Sequence, residues 1–280
     1  MIAYLFKNVG VTTSKRGFHL VGIAIATTTI LIVLLSRPGF TDVTSKSRLD
    51  VILSRGTLKV GTTGDYKPYS FKDLKSGAFK GFDIDLAYDL AKALGVEVEF
   101  IETSWPTLAE DLKNDRFDIA MGGISVTLER QKTGLFSKPY LNDGKSPISR
   151  CAERHRYFTI EDIDRANVKV IVNPGGTNEK FVVTHLKHAK ILVWKDNTTI
   201  FDQIVEGKAD VMITDASETM YQQKLHPGIL CAVNPDRPFN NFEKAYWVQR
   251  APYLTAFVDQ WLYQLKRNGI FDALYQTWFR

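Results

Sequence analysis

The 280-residue chain is 44% hydrophobic and 24% charged, a globular composition long enough for one large or two medium cores. Four of its 36 basic residues and none of its 31 acidic residues lie in residues 1–40, so the remainder is nearly neutral despite the net charge of +5. A nucleic-acid-binding protein usually shows a basic face or stripe. Nucleic acid is therefore excluded as a partner.

Residues 1–40 have the pattern of an export signal. Lys15 and Arg16 precede an uncharged run at residues 20–36, which Arg37 closes. A basic segment before an apolar one is typical of a signal peptide. The run is also long enough for a membrane anchor, since a span takes roughly 17–25 residues, and a buried core helix is the third interpretation. We expect a periplasmic protein with either a cleaved leader or a membrane tether through residues 20–36.

The following residues alternate between strand and helix patterns. Residues 82–95 have apolar side chains at helical spacing and stop at Gly95, which predicts an amphipathic helix. Before residue 150 we predict strands at 58–63, 96–102 and 117–125, with helices at 82–95 and 108–116. Beyond it we predict strands at 168–176, 189–194 and 209–216, with helices at 178–186, 199–208 and 254–280. This alternation is typical of an α/β fold with parallel strands, here in two successive units.

The strands of both units end in small, polar or aromatic residues. These ends are residues 62–65, 104–105, 122–125, 173–177 and 214–215. Open α/β sheets bind ligands beyond the carboxyl ends of their strands. Two units facing each other would therefore line one ligand cleft.

Several segments resemble known proteins over residues 48–280. TTGDYKPYSF, KGFDIDLAYDLAKALG, NPGGTNEKF and EGKADVMITDA resemble the periplasmic amino-acid-binding proteins of the type II solute-binding fold. TSWP, DRFDIAM, DGKSPI and MITDASE resemble, within that group, the exported cyclohexadienyl dehydratases. The resemblance implies decarboxylation and dehydration of prephenate to phenylpyruvate and of arogenate to phenylalanine, without a cofactor.

The resemblance also implies a discontinuous two-lobed α/β fold with a hinge and an interlobe cleft. Lobe one would comprise residues 46–147 plus 240–280, and lobe two residues 148–239. The chain would cross the hinge near residues 146–149 and return near 240–244. The substrate would be a small dicarboxylate held between the lobes.

Carboxylate binding is predicted at two places. Arg130 offers a planar guanidinium that matches a carboxylate, and the resemblance implies that it binds the α-carboxylate with Ser125 and the backbone near Gly123. Gly176 and Thr177 precede a predicted helix, whose amino terminus attracts anions. The alternatives are a surface arginine opening a helix and an ordinary glycine turn with a threonine cap.

A catalytic acid is predicted at Glu218. It follows Asp215 by three residues, so a helix starting at Asp215 places both carboxyl groups on one face. Burial and a neighbouring carboxylate would keep one of them protonated, while Asp215 would bind substrate and Asn173 would donate an amide hydrogen bond to it. A solvated glutamate at a helix start is the alternative for Glu218, and Glu179 is the competing acid unless it is only a helix cap.

Two aromatic residues and one lysine complete the predicted site. Trp105 and Tyr66 offer flat faces for a six-membered ring, with core packing as the alternative, and Lys67 would add positive charge. Cys151 and Cys231 predict one disulfide in an exported protein, although two buried free thiols remain an alternative. No cluster of cysteine and histidine has metal-ligand spacing, so no metal is expected.

A binding protein that delivers an amino acid to a membrane transporter remains the alternative function. Its composition and fold would be the same as those of the dehydratase. The second acid near Asp215 and the added cleft polarity of Asn173 favour the enzyme.

Overall fold

The computed structural model describes residues 46–280. The predicted leader, residues 1–40 with its apolar run at 20–36, lies outside the described residues. Within residues 46–280, no helix combines the length and the apolar character needed to cross a membrane.

Several helices begin or end at residues that are capping signals in the sequence. Ser47 caps the first helix and shares a capping box with Asp50, while Gly56 ends it in the left-handed conformation. Gly95 ends the second helix, and Gly269 separates the last two, as predicted. The α-helices of residues 46–280 are α1 (Arg48–Arg55), α2 (Phe82–Leu94), α3 (Leu108–Lys113), α4 (Leu128–Gln131), α5 (Ile160–Ile163), α6 (Thr177–His185), α7 (Ile200–Val205), α8 (Ala216–Leu225), α9 (Pro252–Arg267) and α10 (Ile270–Phe279).

The strands are short, and one is much shorter than predicted. The strand expected at 117–125 pairs only over two residues, because Gly122 and Gly123 turn the chain with φ of 147° and 69°. The strands of residues 46–280 are β1 (Thr57–Thr62), β2 (Asp65–Tyr66), β3 (Ser70–Lys72), β4 (Phe79–Lys80), β5 (Glu97–Glu102), β6 (Ile119–Ala120), β7 (Leu135–Phe136), β8 (Leu141–Asp143), β9 (Lys145–Arg150), β10 (Lys169–Val172), β11 (Lys190–Val193), β12 (Val211–Asp215), β13 (Leu230–Ala232), β14 (Phe242–Lys244) and β15 (Trp247–Val248).

The first sheet has the strand order β5-β1-β6-β15-β7. Strand β1 is parallel to both β5 and β6, whereas β15 is antiparallel to β6 and β7. Parallel neighbours need crossover connections, which helices α2 and α3 supply. Leu86 and Leu90 on the buried face of α2 pack with Val60 of β1 and with Trp261 of α9 in one hydrophobic core.

The second sheet has the strand order β11-β10-β12-β9-β13. Strand β10 is parallel to β11 and β12, while β9 runs antiparallel to β12 and β13. Alternate residues of β10 enter different cores, with Val170 and Val172 in one and Ile171 in the other. A sheet buried on both faces explains why β10 reads as a continuous apolar run.

The chain passes between the two sheets twice. Strands β8 and β14 form a separate antiparallel pair at these passages, with Phe242 opposite Asp143. Strand β9 belongs wholly to the second sheet, so the change of sheet falls before Lys145, a few residues ahead of the expected boundary between 147 and 148. The chain returns to the first sheet at β15, and helices α9 and α10 pack on the first core.

Cys151 and Cys231 form a disulfide in the structure, with their Cα atoms 4.7 Å apart. Strand β13 carries Cys231 and pairs with β9, where Cys231 lies opposite Ser149. The bond therefore fastens the edge strand of the second sheet to the segment that follows β9, and it closes a loop with a sequence separation of 80 residues.

We expect removal of this bond to lower the stability of the protein. A bridge across a loop of this length contributes about 2–5 kcal/mol, mainly by restricting the unfolded chain. The C151S/C231S double variant should therefore unfold at least about 4 °C below the wild type in a thermal melt. The wild type melted with a thiol reductant is the control, and equal midpoints for wild type and variant would contradict the expectation.

Candidate active site

Asp215, the last residue of β12, lies at the centre of a buried charge cluster. Its Oδ1 accepts a hydrogen bond from Nζ of Lys145 at 2.5 Å, and its Oδ2 accepts one from Nζ of Lys244 at 2.6 Å. The hydroxyl of Tyr66 also donates to Oδ2. Burial acts to raise the pKa of Asp215, but the two ammonium groups lower that pKa below its ordinary value. Asp215 is therefore ionised at neutral pH.

Both lysines are almost completely buried, with exposures of 2% for Lys145 and 0% for Lys244. Lys145 begins β9 and lies opposite Asp215 in the ladder, while Lys244 ends β14. Nζ of Lys145 also donates to Oγ1 of Thr177 at 2.9 Å, and Nζ of Lys244 donates to the carbonyl of Gly123 at 2.9 Å. Two buried cations beside one carboxylate leave an excess of positive charge, which favours an anionic ligand.

Glu218, in the first turn of α8, is 2% exposed and does not point into bulk water. Oγ1 of Thr214 donates a hydrogen bond to its Oε2 at 2.5 Å. Burial raises the pKa of Glu218 to about 8; the bond from Thr214 opposes this rise, and the negative charge of Asp215 adds to it. The carboxyl group is therefore mostly protonated at neutral pH and can act as an acid.

An amide network connects Glu218 with the charge cluster. Nδ2 of Asn178 donates to Oδ1 of Asn173 at 3.2 Å and to Oγ1 of Thr214 at 3.0 Å. Lys145 donates to Oδ1 of Asn178. The lysine, the two asparagines, the threonine and the glutamate thus form one continuous set of hydrogen bonds that fixes their side chains.

These groups surround a small cavity, called here the inner cavity, with a volume of about 20 Å³. It is lined by Tyr66, Trp105, Gly123, Ser125, Asn173, Gly176, Thr177, Asn178, Asn197 and Asp215. A larger outer cavity of about 380 Å³ shares Asn197 with it. Glu218 lines the outer cavity, together with Lys67 and His226. The two carboxyl groups of Asp215 and Glu218 therefore border different but adjoining spaces.

The predicted aromatic residues meet at the inner cavity, but the predicted lysine does not. The rings of Tyr66 and Trp105 lie edge to face with centroids 5.5 Å apart, and Nε1 of Trp105 donates to Oδ1 of Asp65 at 3.0 Å. Lys67 is exposed, with its Nζ 5.3 Å from the centre of the Phe71 ring. The structure places Lys67 at the outer cavity instead.

Arg130 lies beside the inner cavity. It follows the helix cap Thr127, and its Nη1 donates to the carbonyl of Ser125 at 2.8 Å. Burial lowers the pKa of Arg130 to about 10, so the side chain stays charged at neutral pH. Arg130 lines a third cavity together with Gly176 and Thr177, which also line the inner cavity.

The glycine turn before α6 brings the helix amino terminus to the inner cavity. Gly176 caps α6, and Gly175 adopts a φ of 80° so closely against Pro106 that a Cβ would lie 2.6 Å from that proline. Oε2 of Glu179 accepts a hydrogen bond from the backbone N–H of Gly175 at 2.7 Å. This contact corresponds to the helix-cap interpretation of Glu179.

Sequence reasoning missed four residues of this site: Lys145, Lys244, Asn178 and Asn197. The two lysines lie at the passages between the sheets, and each is buried only because Asp215, distant in the sequence, pairs with it. The local sequence therefore carried no signal for either lysine. Within residues 46–280, no group of three or more histidine, cysteine, aspartate and glutamate side chains is arranged to hold a metal ion.

Fold and sequence together define the class of protein. The chain belongs to the bacterial extracellular solute-binding proteins of family 3, whose family model matches residues 58–280. The predicted α/β fold of the type II periplasmic-binding-protein kind is therefore confirmed. The L-cystine-binding protein of Escherichia coli K12 is 25% identical over 232 residues, which cover 82% of this chain and 85% of that protein.

A more similar relative is the cyclohexadienyl dehydratase of Pseudomonas aeruginosa. The two chains are 52% identical over 233 residues, covering 83% of this chain and 86% of the relative. Among solved structures, an ancestral amino acid-binding protein described as a precursor of cyclohexadienyl dehydratase has 40% identity and a TM-score of 0.78, covering 84% of this chain and all of its own. A solved structure of an ancestral cyclohexadienyl dehydratase has 52% identity and a TM-score of 0.54, and the match covers 84% of this chain and 97% of that chain.

Gly123 provides a test of how tightly the inner cavity is packed. Gly123 and Gly77 have nearly the same φ, 69° and 70°, but a Cβ on Gly123 would lie 2.5 Å from the Tyr66 ring, whereas a Cβ on Gly77 meets nothing within 4 Å. Both alanine variants carry the left-handed cost of about 1–2 kcal/mol. G123A should lose about 1–3 kcal/mol more, because the ring must move. Chemical denaturation measures this difference; equal losses in G123A and the matched control G77A would contradict it.

Proposed function

We propose that this chain catalyses the cyclohexadienyl dehydratase reaction, which removes carbon dioxide and water from prephenate to give phenylpyruvate and from arogenate to give phenylalanine. The observation that carries the proposal is Glu218, a buried carboxyl group with a pKa of about 8 that hydrogen bonds through Thr214 and Asn178 connect with the charge cluster. The 52% identity to the Pseudomonas aeruginosa enzyme supports it independently.

The charges of the site suit a substrate with two carboxylates. Lys145, Lys244 and Arg130 are cations, Asp215 is an anion and Glu218 is mostly neutral, while the buried carboxyl groups of Asp65 and Asp143, whose pKa values are raised by burial, lie nearby. Prephenate carries two negative charges and would pair with the three cations. A planar guanidinium and an ammonium group each form charge-assisted hydrogen bonds to carboxylates, which are stronger than bonds between neutral groups.

We assign one substrate carboxylate to each side of the inner cavity. Arg130, with Ser125 and the backbone of Gly123, would bind the side-chain carboxylate. The amino terminus of α6 at Gly176 and Thr177 would bind the ring carboxylate, because its free N–H groups attract anions. Thr177 accepts a hydrogen bond from Lys145, so the ammonium group of that lysine also lies at this position.

The substrate ring and the amino group of arogenate have their own partners. Tyr66 and Trp105 line the inner cavity and offer aromatic faces and edges to the cyclohexadienyl ring. Asp215 is ionised and would pair with the ammonium group of arogenate. Asn173 accepts a hydrogen bond through Oδ1, so its amide nitrogen remains to donate a hydrogen bond to the substrate.

Glu218 is assigned the role of general acid. Its proton passes to the hydroxyl oxygen at ring carbon four, the carbon–oxygen bond breaks, and water leaves. The bond between the ring and its carboxylate breaks as carbon dioxide departs, and its electron pair completes the aromatic ring. One proton is consumed in each turnover, so Glu218 must be reprotonated from solvent. General acid catalysis of this kind contributes about 10²–10⁴-fold to the rate.

Closure of two lobes would exclude water from this reaction. We propose lobe one as residues 46–144 plus 240–280 and lobe two as residues 145–239, so that the boundary expected after residue 147 moves to the start of β9. The contact between Tyr66, from the first part of the chain, and Asp215, from the second, supports closure over the inner cavity. Such a hinge is a common means of enclosing a ligand.

The family is that of extracellular solute-binding proteins. We propose the periplasm as the location of this protein, reached through the export signal in residues 1–40. A cleaved signal peptide and a membrane tether through residues 20–36 remain two forms of the same proposal.

The second candidate function is delivery of an amino acid to a transporter. The ionised Asp215 favours it, since an ammonium group needs such a partner, and several relatives bear the names of amino-acid-binding proteins. Mixing purified protein with prephenate and following phenylpyruvate absorbance in alkali separates the functions. Turnover supports the enzyme, whereas tight binding of an amino acid without turnover supports the carrier.

Replacing the acid should abolish most of the activity. We expect E218Q to fold and bind prephenate but to lose about 10²–10⁴-fold in kcat, because glutamine cannot donate the proton. Steady-state kinetics on prephenate measures the loss. The matched control is E179Q, which changes the glutamate that caps α6 and should keep wild-type kcat. Near-full activity in E218Q with a large loss in E179Q would reassign the acid to Glu179.

The raised pKa of Glu218 should appear in the pH dependence of both activity and stability. As pH rises through about 8, kcat should fall with the loss of the protonated acid. A carboxyl whose folded-state pKa is raised stabilises the fold fully below its ordinary value of 4.5, and this stabilisation is lost as pH rises to about 8. Denaturant titrations should therefore show the wild type losing stability relative to E218Q across that window. Parallel curves for the two proteins would contradict the assignment.

A further inference from the structure

Asn197 occupies the boundary between the inner and outer cavities. It starts the short 3₁₀ turn before α7, is 7% exposed and lines both cavities. Its Nδ2 donates a hydrogen bond to the backbone carbonyl of Asp65 at 3.1 Å. A carbonyl accepts only from the amide nitrogen, so this contact identifies the other terminal atom as Oδ1.

The Oδ1 atom of Asn197 is a buried acceptor with no hydrogen-bond partner in the part of the chain that the structure describes. Buried polar atoms of native proteins are nearly always paired, so an exception calls for an explanation. A ligand in the adjoining cavity that donates a hydrogen bond to this oxygen would be such an explanation. Gln203 also has a buried terminal oxygen without a partner within residues 46–280, but it lines neither cavity.

The position of Asn197 is held by a second contact. Asp65, which accepts from Asn197 through its backbone, accepts from Nε1 of Trp105 through its side chain. These bonds fix the amide plane before any ligand arrives. A preorganised polar group of this kind contributes most when it meets an atom whose bonding changes in the reaction.

The substrate group that can donate a hydrogen bond to Oδ1 of Asn197 is the hydroxyl group at ring carbon four. The two carboxylates have no hydrogen to donate, and prephenate has no ammonium group. Glu218 borders the outer cavity together with Asn197. An oxygen protonated by Glu218 keeps its own hydrogen, which needs an acceptor as the carbon–oxygen bond lengthens.

We propose that Asn197 is a further catalytic residue, whose Oδ1 accepts a hydrogen bond from the departing hydroxyl group. This inference rests on the proposed dehydratase function. The hydroxyl oxygen receives one proton from Glu218, retains its own hydrogen and leaves as water, while Asn197 exchanges no proton. The outer cavity, which the same two residues border, receives the water.

The test compares two matched leucine variants by kinetics on prephenate and by the affinity for phenylpyruvate, which has no ring hydroxyl. N197L should lose about 10- to 100-fold in kcat, the range expected when a reacting group loses a hydrogen bond in a buried site. Its phenylpyruvate affinity should stay unchanged. Q203L removes a similarly buried amide away from both cavities and should keep kcat and affinity.

Three results would overturn the inference while leaving the dehydratase function in place. They are an N197L kcat within about twofold of wild type, an equal loss of kcat in Q203L, and a loss of phenylpyruvate affinity in N197L that matches its loss of kcat. Absence of prephenate turnover in the wild type would instead overturn the function itself. If N197L is unfolded at the assay temperature, Asn197→Ala replaces it under the same criteria.

Discussion

The site depends on the carboxylate of Asp215 between two buried ammonium groups. Lys145 and Lys244 are excluded from water, so each needs a charged partner, and Asp215 serves both. The three residues come from three strands, β9, β12 and β14, and Tyr66 of β2 joins them. Segments far apart in the chain are therefore held at one point by a single anion, and the inner cavity forms around it.

The two carboxyl groups at the start of α8, those of Asp215 and Glu218, lie in opposite electrostatic environments. Asp215 lies against the cations and ionises readily, whereas Glu218, three residues later, has burial and the Asp215 charge raising its pKa. Neighbouring carboxyls with opposite environments can thus take opposite roles, one as a fixed charge and the other as a proton donor.

The fold could be predicted well from the sequence because the spacing of apolar residues within a segment indicates whether that segment is a helix or a strand. Helix α2 and strand β12 could be located from spacing alone, and the motifs pointed to Asp215 and Glu218. The buried state of Lys145 could not be foreseen, because a lysine becomes a core residue only through a partner 70 positions away. Lys67 shows a different limit: a favourable motif position says nothing about which cavity the side chain enters, and this side chain lines the outer one.

The pairing of β8 with β14 places the segments that join the two sheets beside the buried lysines. Lys145 lies two residues after the end of β8, and Lys244 is the last residue of β14, so both buried lysines lie at or next to the two-stranded ribbon. Bending this ribbon would change the distance between the ammonium groups of Lys145 and Lys244, and with it the electrostatic potential in the inner cavity. Under the proposed closure of the lobes, opening rate and ligand release should therefore vary together among variants of the ribbon, even where no altered residue touches the ligand.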